Sequence, residues 1–112
     1  PWDLVERRLA AAAGAGFVIA LYNPISRARP WQLGRAFVCL AGQLPAATPV
    51  VFGSRVGRAG ERISVTPLAA ADPTAADMST CIIVGSPASR VVPRSGLPPL
   101  VYAPRSAREA SR

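Results

Sequence analysis

FVIALYNPISRARPWQLGRAF, residues 17–37, changes character twice, and the two changes decide the fold class. Phe17 to Tyr22 are bulky, largely β-prone and free of polar alternation, so they are expected to form a strand covered on both faces, as in an α/β sheet. Pro24 cannot continue a hydrogen-bond ladder and holds Asn23 in an extended or turn geometry, so the strand stops there. Pro30 then suits a first helical position. Leu33, Ala36, Phe37, Leu40 and Leu44 follow at helical spacing and make one apolar face. The unit is strand, polar loop, helix. In open α/β sheets the loops beyond the carboxyl ends of strands are the usual places for ligands. From spacing alone, an ordinary βα connection in which Asn23 and Ser26 make turn bonds also accounts for the segment.

Working outward, Asp3 and Glu6 stand at the spacing of a capping box, and Trp2, Val5, Leu9, Ala12 and Gly16 fall on one helical face. Residues 2–14 are therefore expected to be a helix ended by Gly14 and Gly16. On the other side, Val50 to Val56 read as a strand with Arg55 near its end, and Gly57 to Gly60 as a turn. Glu61 to Thr66 alternate polar residues with Ile63 and Val65, which suits an antiparallel partner with one exposed face. Thr66-Pro67 can start a short helix over Leu68 to Ala71, and Asp72-Pro73 a second ending near Met78. Cys81 to Val84 form a buried strand halted by Gly85-Ser86-Pro87. From Pro93 onward Pro, Arg and Ser dominate, and Leu100 to Tyr102 alone can add a short edge strand. Residues 104–112 read as a disordered tail. The fold class expected is α/β, with a mixed, mostly buried sheet of about five strands flanked by helices, in one domain over residues 1–103.

Composition limits the function. A chain of 112 residues with 50% apolar content supports one modest core. It begins with Pro1, directly in helical sequence, and so reads as a piece of a longer protein. No apolar run is long enough for a membrane span and no signal-peptide pattern is present, which gives a soluble, cytoplasmic reading. The net charge is +7, and all thirteen bases are Arg. Guanidinium groups hold carboxylates and phosphates bidentately, so an anionic partner suits the chain, although base composition in a genome also replaces Lys by Arg. Without His, neither zinc chemistry nor a His-based triad is expected within this chain, and no metal site is expected. Cys39 and Cys81 are not a CxxC pair and read as structural thiols.

Three blocks resemble the precorrin-3B C(17)-methyltransferases, which are tetrapyrrole methylases. "ALYNPISRARPWQL", residues 20–33, is similar to the family segment ALYNPxSxxRxxQL. "GRAGERISVTPLAAAD", residues 57–72, sits where the family has its Gly-Arg-x-Gly-Glu turn and the strand leading to Thr-x-Leu. "MSTCIIVGSPASRVV", residues 78–92, resembles the family's apolar strand ending in Val-Gly, with Gly85-Ser86-Pro87 in place of the usual Gly-Asn-Ser. The closing Thr-Pro-Arg-Gly-Tyr run is only echoed by Tyr102-Ala103-Pro104-Arg105. The resemblance covers residues 2–92 and the carboxyl-terminal half of such an enzyme.

The resemblance implies two α/β domains with S-adenosylmethionine between them, this chain being the second. It implies cofactor contacts at Tyr22, Asn23, Pro24, Val65, Thr66 and Thr80, and the precorrin's carboxylate arms at Arg27, Arg29, Arg55 and Arg58. It names no catalytic acid or base, because a methyl sulfonium is already electrophilic and needs alignment. The partners it implies are the precorrin, the missing first domain and a second copy in a homodimer. Two other readings stand beside it. One is an RNA-directed methyltransferase of the same superfamily, suggested by the charge but opposed by the scarcity of aromatics for base stacking. The other is a non-catalytic interaction domain, which has no physical need for the Tyr22-Asn23-Pro24 loop.

Overall fold

The Ala-rich start of the chain folds as α1, Trp2–Gly14. Gly16 closes it with φ 81°, and the amides of Gly16 and Phe17 donate back to the carbonyls of Ala13 and Ala12, each at 3.1 Å. This is a Schellman cap, which needs the left-handed backbone that glycine adopts without strain. The computed structural model describes residues 2–22, 31–77 and 79–102. A second helix, α2, covers Trp31–Ala41. Asp3 lies inside the first turn of α1 and not before it, and Glu6 accepts a 2.6 Å hydrogen bond from Arg35 of α2. The pair joins the two helices at a half-exposed seam.

Strands β1 (Ile19–Tyr22), β2 (Pro49–Ser54), β3 (Arg62–Pro67) and β4 (Thr80–Val84) form one sheet in the order β1-β4-β2-β3. Every hydrogen-bonded neighbour is antiparallel. The expected mixed character survives only in that β1 and β2 run the same way with β4 between them. A separate hairpin, β5 (Arg90–Arg94) and β6 (Leu97–Tyr102), turns at Gly96 with φ 71°. Among the described residues, a four-stranded sheet plus a two-stranded ribbon thus replace a single sheet of about five. The Pro-rich end was expected to offer only Leu100 to Tyr102. A ribbon accommodates Pro93, Pro98 and Pro99 because each of its strands has an edge that needs no ladder donor, and the register shifts between Val92 and Arg94, where Pro93 lies.

Both helices lie on one face of the sheet. Leu9 and Ala13 of α1, with Leu33, Ala36, Phe37 and Leu40 of α2, pack against Ile19, Val50, Phe52, Ile82 and Val84. Phe37 and Phe52 meet edge to face, their ring centres 6.1 Å apart. The α2 face matches the helical spacing residue for residue, whereas on α1 Val5 is exposed and Ala13, not Gly16, completes the buried stripe.

The opposite face is open, which corrects the expectation of a strand covered on both sides. Phe17 and Val18 are 64% and 47% exposed and precede β1, and Ile83 at the centre of β4 is 40% exposed while its neighbours Ile82 and Val84 are fully buried. An antiparallel sheet needs no crossover helix, and among the described residues no helix covers the second face, which the β5–β6 ribbon approaches through Pro99 and Val101.

The two short helices expected after β3 are single 3-10 turns, Leu68–Ala70 and Pro73–Ala75. Leu68 anchors the first in the core, and Asp72 caps the second by accepting from the Thr74 amide at 2.9 Å. β4 ends at Gly85, whose amide donates to the Pro49 carbonyl at 2.8 Å. A Cβ at Gly85 would stand 2.8 Å from Ser89 Oγ and 3.0 Å from Pro49 Cγ, so the close approach requires glycine. The expected tail, 104–112, lies outside the described residues.

Candidate functional site

The carboxyl ends of β1 and β2 and the amino ends of β3 and β4 meet at one end of the sheet. Tyr22, Cys81, Gly53 and Ile63 stand in one row across it, and Thr80, Ser54 and Arg62 in the next. The ladder therefore brings Tyr22 and Thr80, implied contacts far apart in sequence, to the same end. Thr80 is buried, and its hydroxyl is fully engaged. It receives the Asp77 amide at 2.9 Å and lies 3.0 Å from Asp77 Oδ1 and 3.1 Å from Ser54 Oγ. Asp77 also takes the Ser79 amide at 2.8 Å. With its side chain spent on this turn and its amide donating to the Asp77 carbonyl at 3.2 Å, Thr80 meets a ligand through its carbonyl or not at all.

Arg55 follows β2 directly and has φ 52°, the one positive φ of a non-glycine among the described residues. Its amide donates to the Ser79 carbonyl and its carbonyl accepts from the Arg58 amide at 2.9 Å. Glu61 ties the turn from the other side by accepting the Gly57 amide at 3.0 Å. Both arginines are exposed at this end of the sheet. Beside them runs a groove of about 980 Å³ bounded by Ser54, Arg55, Arg62, Ser64, Ala75 and Asp77. Arg62, Ser54 and Ser64 were missed as candidates. The alternation in Glu61 to Thr66 signalled Arg62 and Ser64 on one face, but gave no hint that a groove adjoins it.

Val65 and Thr66 are not brought to this end. They pair with Val51 and Val50, two and three residues further up β3 from Ile63, and at about 3.4 Å per residue Thr66 sits roughly 10 Å away along the strand. Val65 instead lines an apolar hollow of about 250 Å³ on the open face with Val51, Ile63, Ile83 and Val101. Asn23, Pro24, Arg27 and Arg29 lie outside the described residues, as does the Tyr22 side chain.

Cys39 is half-buried and donates to the Glu6 carbonyl at 3.4 Å; burial, and then the nearby Glu6 charge, push its thiol above the ordinary range. Both effects favour the neutral thiol over the thiolate. The hydroxyl and amide of Thr74 hold the Asp72 carboxyl below its usual value. Among the described residues no group of Cys, Asp or Glu is placed to hold a metal, and no helix is long and apolar enough to cross a membrane.

No protein-family model matches the chain. Individual proteins do. A precorrin-3B C(17)-methyltransferase of Sinorhizobium sp is 62% identical over 105 residues, which are 94% of this chain and 41% of that protein. A probable cobalt-factor III C(17)-methyltransferase of Salmonella typhimurium is 43% identical over 86 residues, 77% of this chain and 36% of the relative. The crystal structure of the methyltransferase CobJ superposes on 93% of this chain with a TM-score of 0.83 at 38% identity, and 41% of that protein is covered. The chain thus spans well under half the length of the relatives it matches.

Proposed function

Since the chain is homologous to the precorrin-3B C(17)-methyltransferases, tetrapyrrole methylases of cobalamin biosynthesis, we propose that it supplies one wall of a cleft in which a precorrin is methylated at C-17 from S-adenosylmethionine. The observation that carries this is the 62% identity to the Sinorhizobium enzyme over 94% of the chain, with the strand pairing that brings part of each of the three blocks to one sheet end.

The residues present suit that cofactor. The sheet end is polar, with hydroxyls, strand-end backbone and guanidinium groups. Bound there, the sulfonium would bring a methyl group that is already electrophilic, so alignment and not proton transfer is what the protein must provide. Tyr22, Asn23 and Pro24 hold the cofactor from the end of β1, and the Thr80 backbone holds it from the start of β4. Val65 and Thr66 form a separate contact segment reached by another part of the ligand. Arg27, Arg29, Arg55 and Arg58 receive carboxylate arms of the precorrin as charge-assisted hydrogen bonds. The remainder of the cleft comes from the first domain, and two copies associate as a homodimer.

The test is transfer of a labelled methyl group from S-adenosylmethionine to precorrin-3B by the intact gene product. Label at C-17 of the corrinoid is the expected result. A folded protein that binds both molecules and transfers nothing overturns the reading.

A further inference from the structure

We propose that Arg62, with Arg55, forms a carboxylate-binding subsite in the groove at the polar end of the sheet. Arg62 and Ser54 are directly paired across β3 and β2, so both rise from the helix-bearing face, and Ser64 follows two residues along the same face. Arg55 reaches the same end by folding over the turn. Its Cδ and Nη1 lie 3.6 Å from where a Cβ of Gly60 would stand, two residues before Arg62.

The charges lining the groove are not equally available. Glu61 is occupied by the Gly57 amide, and Asp77 by the Ser79 amide and the Thr80 hydroxyl. The Arg55 and Arg62 guanidiniums make no hydrogen bond or ion pair among the described residues. Arg35, Arg90 and Arg94, by contrast, are engaged with Glu6, with the Ala88 and Ser89 carbonyls, and with the Pro98 carbonyl. Two uncommitted guanidiniums and the Ser64 hydroxyl beside a groove of about 980 Å³ suit a large, multiply charged carboxylate, which Arg grips in the plane of its fork, while Ser54 spends its proton on Thr80. Arg55 takes this place in a left-handed backbone that glycine would adopt more cheaply. The subsite rests on the proposed function for the identity of its ligand, a tetrapyrrole, and adds to it a residue that the family resemblance does not point to.

Fluorescence titration of the intact protein with uroporphyrin I, which carries eight carboxylates, and with its octamethyl ester tests the subsite. Arg62→Gln is expected to weaken uroporphyrin binding about tenfold, Arg62→Lys to recover part of the loss, and Arg8→Gln on the outer face of α1 to change nothing. The ester is expected to bind poorly to every variant. Unchanged circular dichroism establishes that the variants are folded. Wild-type affinity in Arg62→Gln, equal affinity for acid and ester, or no saturable uroporphyrin binding each overturn the proposal. If the titrations behave as expected while no methyl group reaches precorrin-3B, the methylation reading fails and the subsite stands. If methyl transfer proceeds and Arg62→Gln titrates as wild type, the reverse holds.

Discussion

At the scale of single residues, Arg55 carries a measurable penalty. A side chain at φ 52° costs about 1 kcal/mol that glycine does not incur, so Arg55→Gly should be more stable than Arg55→Ala by about 1 kcal/mol in urea denaturation. Equal midpoints for the two variants would mean that the backbone there is not held left-handed in solution. Asn23 lies outside the described residues, but the chain enters it from the last residue of β1, whose partner row includes Cys81. If its side chain meets S-adenosylmethionine, Asn23→Ala loses one polar contact, about 0.5–1.5 kcal/mol, or roughly two- to tenfold in the dissociation constant. Calorimetry on a folded mutant with an unchanged constant would remove Asn23 from the site. The strand end at Tyr22 was legible because a ladder cannot continue through Pro24, whereas a ligand contact at Tyr22 was implied by the resemblance alone. Arg62 was not legible, since an Arg in an alternating strand looks the same whether it faces solvent or a groove.

At the scale of elements, β4 shows how far strand pattern can be read. Cys81-Ile82-Ile83-Val84 has no polar alternation, and such a run suggests burial on both faces. The structure buries Ile82 and Val84 under the helices and leaves Ile83 at the open hollow. The consequence is asymmetric. Ile82→Ala should cost about 2–5 kcal/mol because it opens a cavity in the core, whereas Ile83→Ala should cost about 1 kcal/mol or less. Equal losses in thermal denaturation of the isolated chain would show that the second face is covered. Helix α2 needed no such correction, because a 3.6-residue period specifies one buried stripe and the neighbours that fill it do not change its position.

At the scale of the whole molecule, the proposed site is half of a cleft. A single wall buries too little of a ligand to offset the cost of immobilising it, so residues 1–112 alone should transfer no methyl group. Contacts at Asn23, Thr66 and Thr80 of about 1 kcal/mol each would give a dissociation constant of order millimolar at best. Equilibrium dialysis with labelled S-adenosylmethionine measures it, and micromolar binding by the monomeric chain would place the site on another surface. What the sequence by itself determined is local: the helix end at Gly16, the strand ends at Tyr22 and Val84, the buried stripe of α2, and the blocks that relate the chain to the methyltransferases it resembles. Each follows from backbone restrictions and periodicities that act within a few residues. Strand order, the choice of which sheet face the helices cover, the separation of Thr66 from Thr80, and the groove beside Arg62 were decided by the tertiary structure alone. They depend on which distant strands share a ladder, and antiparallel pairing of β4 with both β1 and β2 leaves no mark in any one segment.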